Sequence, residues 1–197
     1  MAMDLNPGKR QLNKPITIGG VTVNPGERKT IDLDMGRLYT HSQLSMPVQV
    51  VCGRLAGPVM FVSAAIHGDE INGVEIVRRV LQHKSLKNLR GTLLAIPIVN
   101  VYGFVNNSRY LPDRRDLNRS FPGSESGSLA SRLGRVFMTE VVELVMPDAE
   151  ATEIGGGIDV FVGAFIAGSI LLMDAEVPGF GISPYVIGAL AASISGI

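Results

Sequence analysis

The stretch Val59-Met-Phe-Val-Ser-Ala-Ala-Ile66 runs directly into His67-Gly-Asp-Glu70 and then into Ile71-Asn-Gly-Val-Glu-Ile-Val-Arg-Arg-Val-Leu-Gln-His83. The first run carries no charge and is apolar at odd and even positions alike, which predicts a central strand of a parallel sheet, covered on both faces. Gly57-Pro58 punctuates its start. In the third run Val74, Ile76, Val77, Val80 and Leu81 recur at helical spacing, so a helix follows after a short loop. Thr92-Leu-Leu-Ala-Ile-Pro-Ile-Val99 supplies the next buried strand and closes a βαβ unit.

Working outward, Met46 to Cys52 reads as a further strand, through Val48, Val50 and Val51. Residues 15–34 read as short β segments around an Asn24-Pro-Gly turn. From Asn100 to Ser128 the chain is a long polar connection, of the kind that is usually functional. Leu129, Leu133, Val136, Phe137, Val141 and Leu144 then return to helical spacing. The expected organisation is a small β lead-in over 1–40, an α/β core over 41–146, and an apolar, Gly-rich tail over 147–197.

Composition narrows the class. The chain has 197 residues, 46% of them apolar and 18% charged, which excludes wholesale disorder. Its zero net charge conceals a split: through Arg135 there are 18 basic and 10 acidic side chains, and beyond it 8 acidic and no basic ones. The basic excess is dispersed, which argues against a nucleic-acid partner. One cysteine, Cys52, excludes an internal disulfide framework and multi-cysteine zinc sites; it fits a reducing, cytoplasmic setting and reads as a small buried hydrophobe. The tail approaches the apolar length of a membrane span. Asp159, Pro178, Pro184, nine glycines among the last 43 residues and the lack of any Lys or Arg argue against a membrane hairpin there.

His67 and Glu70 stand just past the end of a strand that reads as central, where ligands of open α/β sheets collect. An imidazole and a carboxylate three residues apart can turn toward one metal ion. The competing reading is that Asp69 or Asn72 caps the helix, with Glu70 favoured by the helix dipole and His67 an ordinary loop residue. For Arg109 and Arg119 the alternative to a site role is loop stitching by pairing with Asp113 and Asp116. His41 precedes the first central strand, and His83 ends the first helix.

Taken together, His67-Gly-Asp-Glu70 after an apolar strand, Asn100-Val-Tyr-Gly-Phe104, Ser108-Arg-Tyr110 and Asp116-Leu-Asn-Arg-Ser-Phe-Pro-Gly123 resemble, in that order, the succinylglutamate desuccinylase/aspartoacylase family of zinc-dependent deacylases, relatives of the zinc carboxypeptidases. The similarity covers roughly residues 15–145. It implies an α/β fold with a mixed, largely parallel sheet flanked by helices, incomplete at the C-terminus, and hydrolysis of an N-acyl amino acid or similar small carboxylate substrate. By the same resemblance His67 and Glu70 would ligate one zinc ion, Arg109 would polarise the scissile carbonyl, and Asn118 with Arg119 would hold a substrate carboxylate. Asp116 would fix the loop or steady a neighbouring ligand. The sequence departs from the family at the third ligand, a histidine after an Asp-Leu pair: no histidine follows His83, and Phe161 stands in the nearest matching place. The family's C-terminal general base has no counterpart either, so the implied ligand set is incomplete, and a non-catalytic truncated homologue, or a carboxylate-binding protein without a complete metal site, is the competing expectation.

Overall fold

A computed structural model describes residues 11–145 apart from Tyr39. The apolar tail, its membrane reading and Phe161 lie outside the described residues. A small hairpin comes first: β1 (Ile16–Ile18) and β2 (Val21–Val23) pair antiparallel. Gly19 and Gly20 make the turn at φ 53 and 74, a left-handed conformation that suits residues without a Cβ. Ile16, Ile18 and Val23 point from this hairpin into the main core.

The main sheet is built from β3 (Arg28–Arg37), β4 (Gln43–Cys52), β5 (Leu55–Ser63) and β6 (Arg90–Ile96), in the spatial order β3-β4-β6-β5. The β3–β4 and β4–β6 pairs are antiparallel and β5–β6 is parallel, so the sheet is mixed as expected, with parallel pairing confined to one pair among the described residues. β3 falls within the stretch expected as a lead-in and contributes an outer strand. Its outward residues alternate Arg28, Thr30, Asp32 and Asp34 with buried Ile31, Leu33 and Met35, the pattern of a strand with one wet face.

Helix α1 (Asn72–Gln82) connects β5 to β6, giving the βαβ unit. After β6 come α2 (Val101–Val105), a single 3₁₀ turn at Leu117–Arg119, and α3 (Leu129–Phe137), which continues as a wider π turn through Met138–Val142 into α4 (Glu143–Val145). The sheet separates two cores. On one face Ile76, Val77, Val80 and Leu81 of α1 meet Val51, Leu93 and Ala95; on the other Phe137, Met138 and Val141 meet Val48, Val50, Leu94 and Ile96. Side chains of this kind each contribute roughly 1.5–3 kcal/mol when fully buried. Phe137 is pinned edge-on by Phe61 and Phe121, both at 5.8 Å between ring centres.

Among the described residues β5 has one neighbouring strand, β6, and its side chains are half-buried. It is apolar at odd and even positions because helices cover both faces. Val59 and Phe61 pack toward α3, while Met60 and Val62 pack toward α1. Apolarity on two faces reports cover above and below a strand; it does not report neighbours on both edges.

Candidate functional site

β5 ends at Ser63, and the buried segment Ala64-Ala65-Ile66 carries the chain to His67. Ala65 is left-handed at φ 50, a conformation that a residue with a Cβ enters only when its surroundings hold it there. The holding is visible: Ala64 N–H donates to Ile96, Val99 N–H to Ala64 and Asn100 N–H to Ala65, each at 2.9–3.0 Å. The two segments leaving the adjacent parallel strands are thereby laced together at the C-terminal edge of the sheet. Gly68 then lies against α2. A Cβ on it would come within 1.9 Å of the Gly103 carbonyl carbon, and its N–H donates to the Ser108 carbonyl at 3.0 Å. Because only glycine fits there, the loop carrying Arg109 is drawn up to His67.

The His67 ring is fully buried and lies between two acids: Nδ1 is 3.0 Å from Glu70 Oε1, and Nε2 is 2.9 Å from Asp116 Oδ1. Arg109 closes the circle. Its Nε and Nη2 donate to Asp116 Oδ2 at 3.2 and 3.1 Å, and its Nη1 reaches Glu70 Oε1 at 3.4 Å. Burial pushes the Asp116 carboxyl up, but the hydrogen bond and charge of His67, the Asn118 N–H and the Arg109 charge outweigh it and hold the group below its ordinary value. Asp116 also caps the 3₁₀ turn, its Oδ1 accepting from Asn118 N–H at 2.9 Å. Leu117, buried at 1% exposure, anchors that turn in the core.

The expected site residues thus divide. His67, Glu70 and Arg109 meet directly, and Asn118 adjoins them through Asp116. Arg119 sits at the exposed end of the same turn. The helix-capping alternative fails, since the N-cap position of α1 is Ile71 and no side chain caps it. Arg109 pairs with Asp116 as the stitching alternative has it, and Asp113 accepts from the backbone N–H groups of Arg115 and Ala130. His83 caps the following 3₁₀ helix by accepting from Ser85 N–H, His41 occupies the β3–β4 turn, and Cys52 is buried. Asn100 went unnoticed as a positioning group. It is fully buried, its Oδ1 accepts from Gly103 N–H at 2.8 Å, and its Nδ2 donates to the Arg109 carbonyl at 3.4 Å. An asparagine between a strand and a short helix is an N-cap signal that would have pointed to it.

The donor chemistry fits two legs of a zinc site. Each ring nitrogen of His67 faces a carboxylate oxygen; were a cation to take Nδ1, Asp116 would accept the proton left on Nε2. Glu70 Oε2 is buried and has no hydrogen-bond partner among the described residues, and neither has Asn118 Oδ1. An unspent buried carboxylate oxygen beside an imidazole nitrogen is what a cation would satisfy. A third His, Cys, Asp or Glu that would complete a metal-binding group is absent among the described residues.

Residues 56–150 match the model of the succinylglutamate desuccinylase/aspartoacylase catalytic domain. The chain is 30% identical over 132 residues to N-alpha-acetyl-L-2,4-diaminobutyric acid deacetylase of Halomonas elongata, a match covering 66% of this chain and 37% of that protein. Among solved structures it is similar to an aspartoacylase family protein of Mesorhizobium loti, with TM-score 0.54 and 28% identity over 62% of this chain and 38% of that one. It is also similar to the product-bound ectoine utilization protein EutE of Ruegeria pomeroyi, with TM-score 0.55 and 25% identity over 70% of this chain and 41% of that one. The chain therefore spans 37–41% of the length of these three relatives.

Proposed function

We propose that the chain, whose residues 56–150 match the succinylglutamate desuccinylase/aspartoacylase catalytic domain, is a member of that family and carries the metal-binding and carboxylate-binding half of a zinc-dependent deacylase acting on an N-acyl amino acid. The observation that supports this most is the buried His67 ring, turned by Asp116 so that Nδ1 faces Glu70, with Glu70 Oε2 unspent beside it. His67 and Glu70 would hold the ion. When bound, zinc supplies a Lewis acid and lowers the pKa of a water molecule.

The remaining steps belong to the chain's own side chains. Asp116 fixes the direction of the His67 ring and would accept the Nε2 proton once Nδ1 held the ion. Arg109, held by Asp116 from one side, presents positive charge where negative charge develops on a carbonyl oxygen. Asn118 and Arg119, both on the 3₁₀ turn, would take a substrate carboxylate, Arg119 through the planar fork of its guanidinium. A cytoplasmic setting agrees with the single cysteine, and no described helix is long and apolar enough to cross a membrane.

A panel of N-acetyl, N-succinyl and longer N-acyl amino acids, incubated with added zinc and separately with a chelator, tests this reading. Release of free amino acid that the chelator abolishes is the expected result. The missing third ligand among the described residues favours one second reading, a carboxylate-binding protein without hydrolysis. Binding of an N-acyl amino acid by calorimetry, with no zinc bound and no turnover, would replace the first reading by the second.

A further inference from the structure

At the end of the sheet away from the site, where β5 and β6 begin, the chain gathers basic side chains without acids to match. Arg54 precedes β5, Arg90 opens β6 opposite Leu55, and Lys84 and Lys87 lie on the 3₁₀ helix Lys84–Asn88 that leads into it. All four are exposed, and none forms an ion pair among the described residues. The sequence holds no acid between Glu75 and Asp113, and Glu27, in the turn against which Arg54 lies, is taken by Lys29 at 3.0 Å. A strap, Gln11 to Lys14, runs across the same end. Leu12 bridges to Leu55, Asn13 N–H donates to the Arg54 carbonyl at 3.0 Å, and Ala56 N–H donates to the Gln11 carbonyl at 2.9 Å. The Asn13 side chain turns inward, its Nδ2 lying 3.1 Å from the Gly53 carbonyl, 3.0 Å from the Gly91 carbonyl and 3.1 Å from Thr92 Oγ1. Alternation along an extended segment then sends Leu12 and Lys14 outward. Lys14 is exposed, and Leu12, at 71%, is the most exposed large apolar side chain of the described residues.

We propose that this end of the sheet docks on an anionic lipid surface, with Leu12 entering the headgroup layer and Lys14, Arg54, Lys84, Lys87 and Arg90 meeting the lipid phosphates. A leucine held in water by a stapled backbone, with cations on either side, combines the two attractions of a peripheral membrane contact: apolar area for the layer beneath and charge for the headgroups. A nucleic acid would use the charge but has no need of the leucine, and bases of a single strand stack on aromatic rings. Tyr110, the exposed aromatic side chain among the described residues, lies instead in the loop of the site. The nine residues of β5 separate the two ends by about 30 Å, so docking leaves His67 and Arg109 facing away from the lipid.

Sedimentation of the full chain with vesicles of phosphatidylcholine alone, and of phosphatidylcholine mixed with phosphatidylglycerol, tests the proposal. Binding to the mixed vesicles only, weakening as salt is raised, is the expected result. Lys84→Gln combined with Lys87→Gln should weaken it about 25-fold, about fivefold for each cation removed. Leu12→Ser, which keeps the backbone of the strap, should weaken it about tenfold and leave its salt dependence unchanged. Arg114→Gln combined with Arg115→Gln removes the same charge from exposed positions in the site loop and should change nothing; circular dichroism checks that each variant is folded. No binding to the mixed vesicles, equal binding to both kinds, or equal losses in the two double variants would overturn the proposal. A DNA duplex or polyglutamate that binds more tightly than the mixed vesicles, and loses its hold in the Lys84 and Lys87 variant, would overturn it too and give the surface to a nucleic acid or an acidic protein.

Discussion

Asp116 holds His67 from behind: its Oδ1 lies 2.9 Å from Nε2, on the side of the ring opposite the Nδ1 that faces Glu70. A carboxylate in that position fixes the tautomer and raises the basicity of the other nitrogen. Asp116→Asn should therefore weaken zinc binding about 10- to 100-fold while the sheet and both cores persist. Chelator competition reads the affinity and circular dichroism the fold. Unchanged affinity in a folded Asp116→Asn protein would show that the carboxylate serves only the loop.

The same carboxyl links stability to acid. Its pKa in the folded chain lies below the ordinary 3.8, because the His67, Asn118 and Arg109 contacts outweigh the effect of burial. A group with a depressed folded pKa contributes stability above its unfolded pKa and loses that contribution as pH falls through the folded value. Urea unfolding of the parent and of Asp116→Asn should differ most near neutral pH, and the gap should close as pH drops below 3.8. A gap that stays constant across the acid range would mean that the ionised form is not favoured by folding.

Gly68→Ala should damage the site by way of the backbone. The new Cβ would lie 1.9 Å from the Gly103 carbonyl carbon and 2.1 Å from its oxygen, and neither atom is the end of a flexible side chain. The loop bearing His67 and the helix α2 must separate, at a cost of about 1–3 kcal/mol. The Gly68 N–H bond to Ser108 would be lost with that movement, and Arg109, the next residue, would be carried away from Glu70. Denaturant unfolding measures the first effect and zinc affinity the second; a Gly68→Ala chain as stable as the parent would mean that the contact is looser than it stands.

Much of this was legible in residues 59–83, because a strand, a tight loop and a helix each write a local period into the sequence. The pairing of His67 with Glu70 followed from spacing three residues apart. The place of β5 at the end of the described strand order did not, because strand order depends on which segments pair across long separations, and side-chain apolarity reports only the two faces. β3 was hidden in the lead-in for a related reason: Arg28, Thr30, Asp32 and Asp34 face outward, so its composition is that of a polar connection until the alternation with Ile31, Leu33 and Met35 is aligned to β4. Asp116 could be suspected as a supporting group, but the oxygen-by-oxygen division among His67, Arg109 and Asn118 requires the loop's three-dimensional path. The N-cap signal of Asn100 depends on recognising the helix behind it, and the five residues of α2 write too little period into the sequence for that.

Asn100 is accordingly the residue where a small change should reveal the scaffold of the site. Its Oδ1 takes the Gly103 N–H at the start of α2, its Nδ2 reaches the Arg109 carbonyl, and its own N–H is bonded to Ala65. Asn100→Ala keeps the last of these and deletes the other two. The Gly103 N–H, buried and without a partner, would then cost about 1–3 kcal/mol. Asn100→Asp keeps the acceptor for Gly103 but loses the donor to Arg109 and adds a buried charge, so it should not restore stability to the parent level. Asn100→Ser, a shorter side chain able to cap, should recover part of the loss at Gly103 without restoring the Arg109 contact. Unfolding free energies ranked parent, Asn100→Ser, then Asn100→Ala would assign the cap to Oδ1. A serine variant matching the parent in stability yet weaker in binding an N-acyl amino acid would separate the role of Asn100 in holding α2 from its role in placing Arg109.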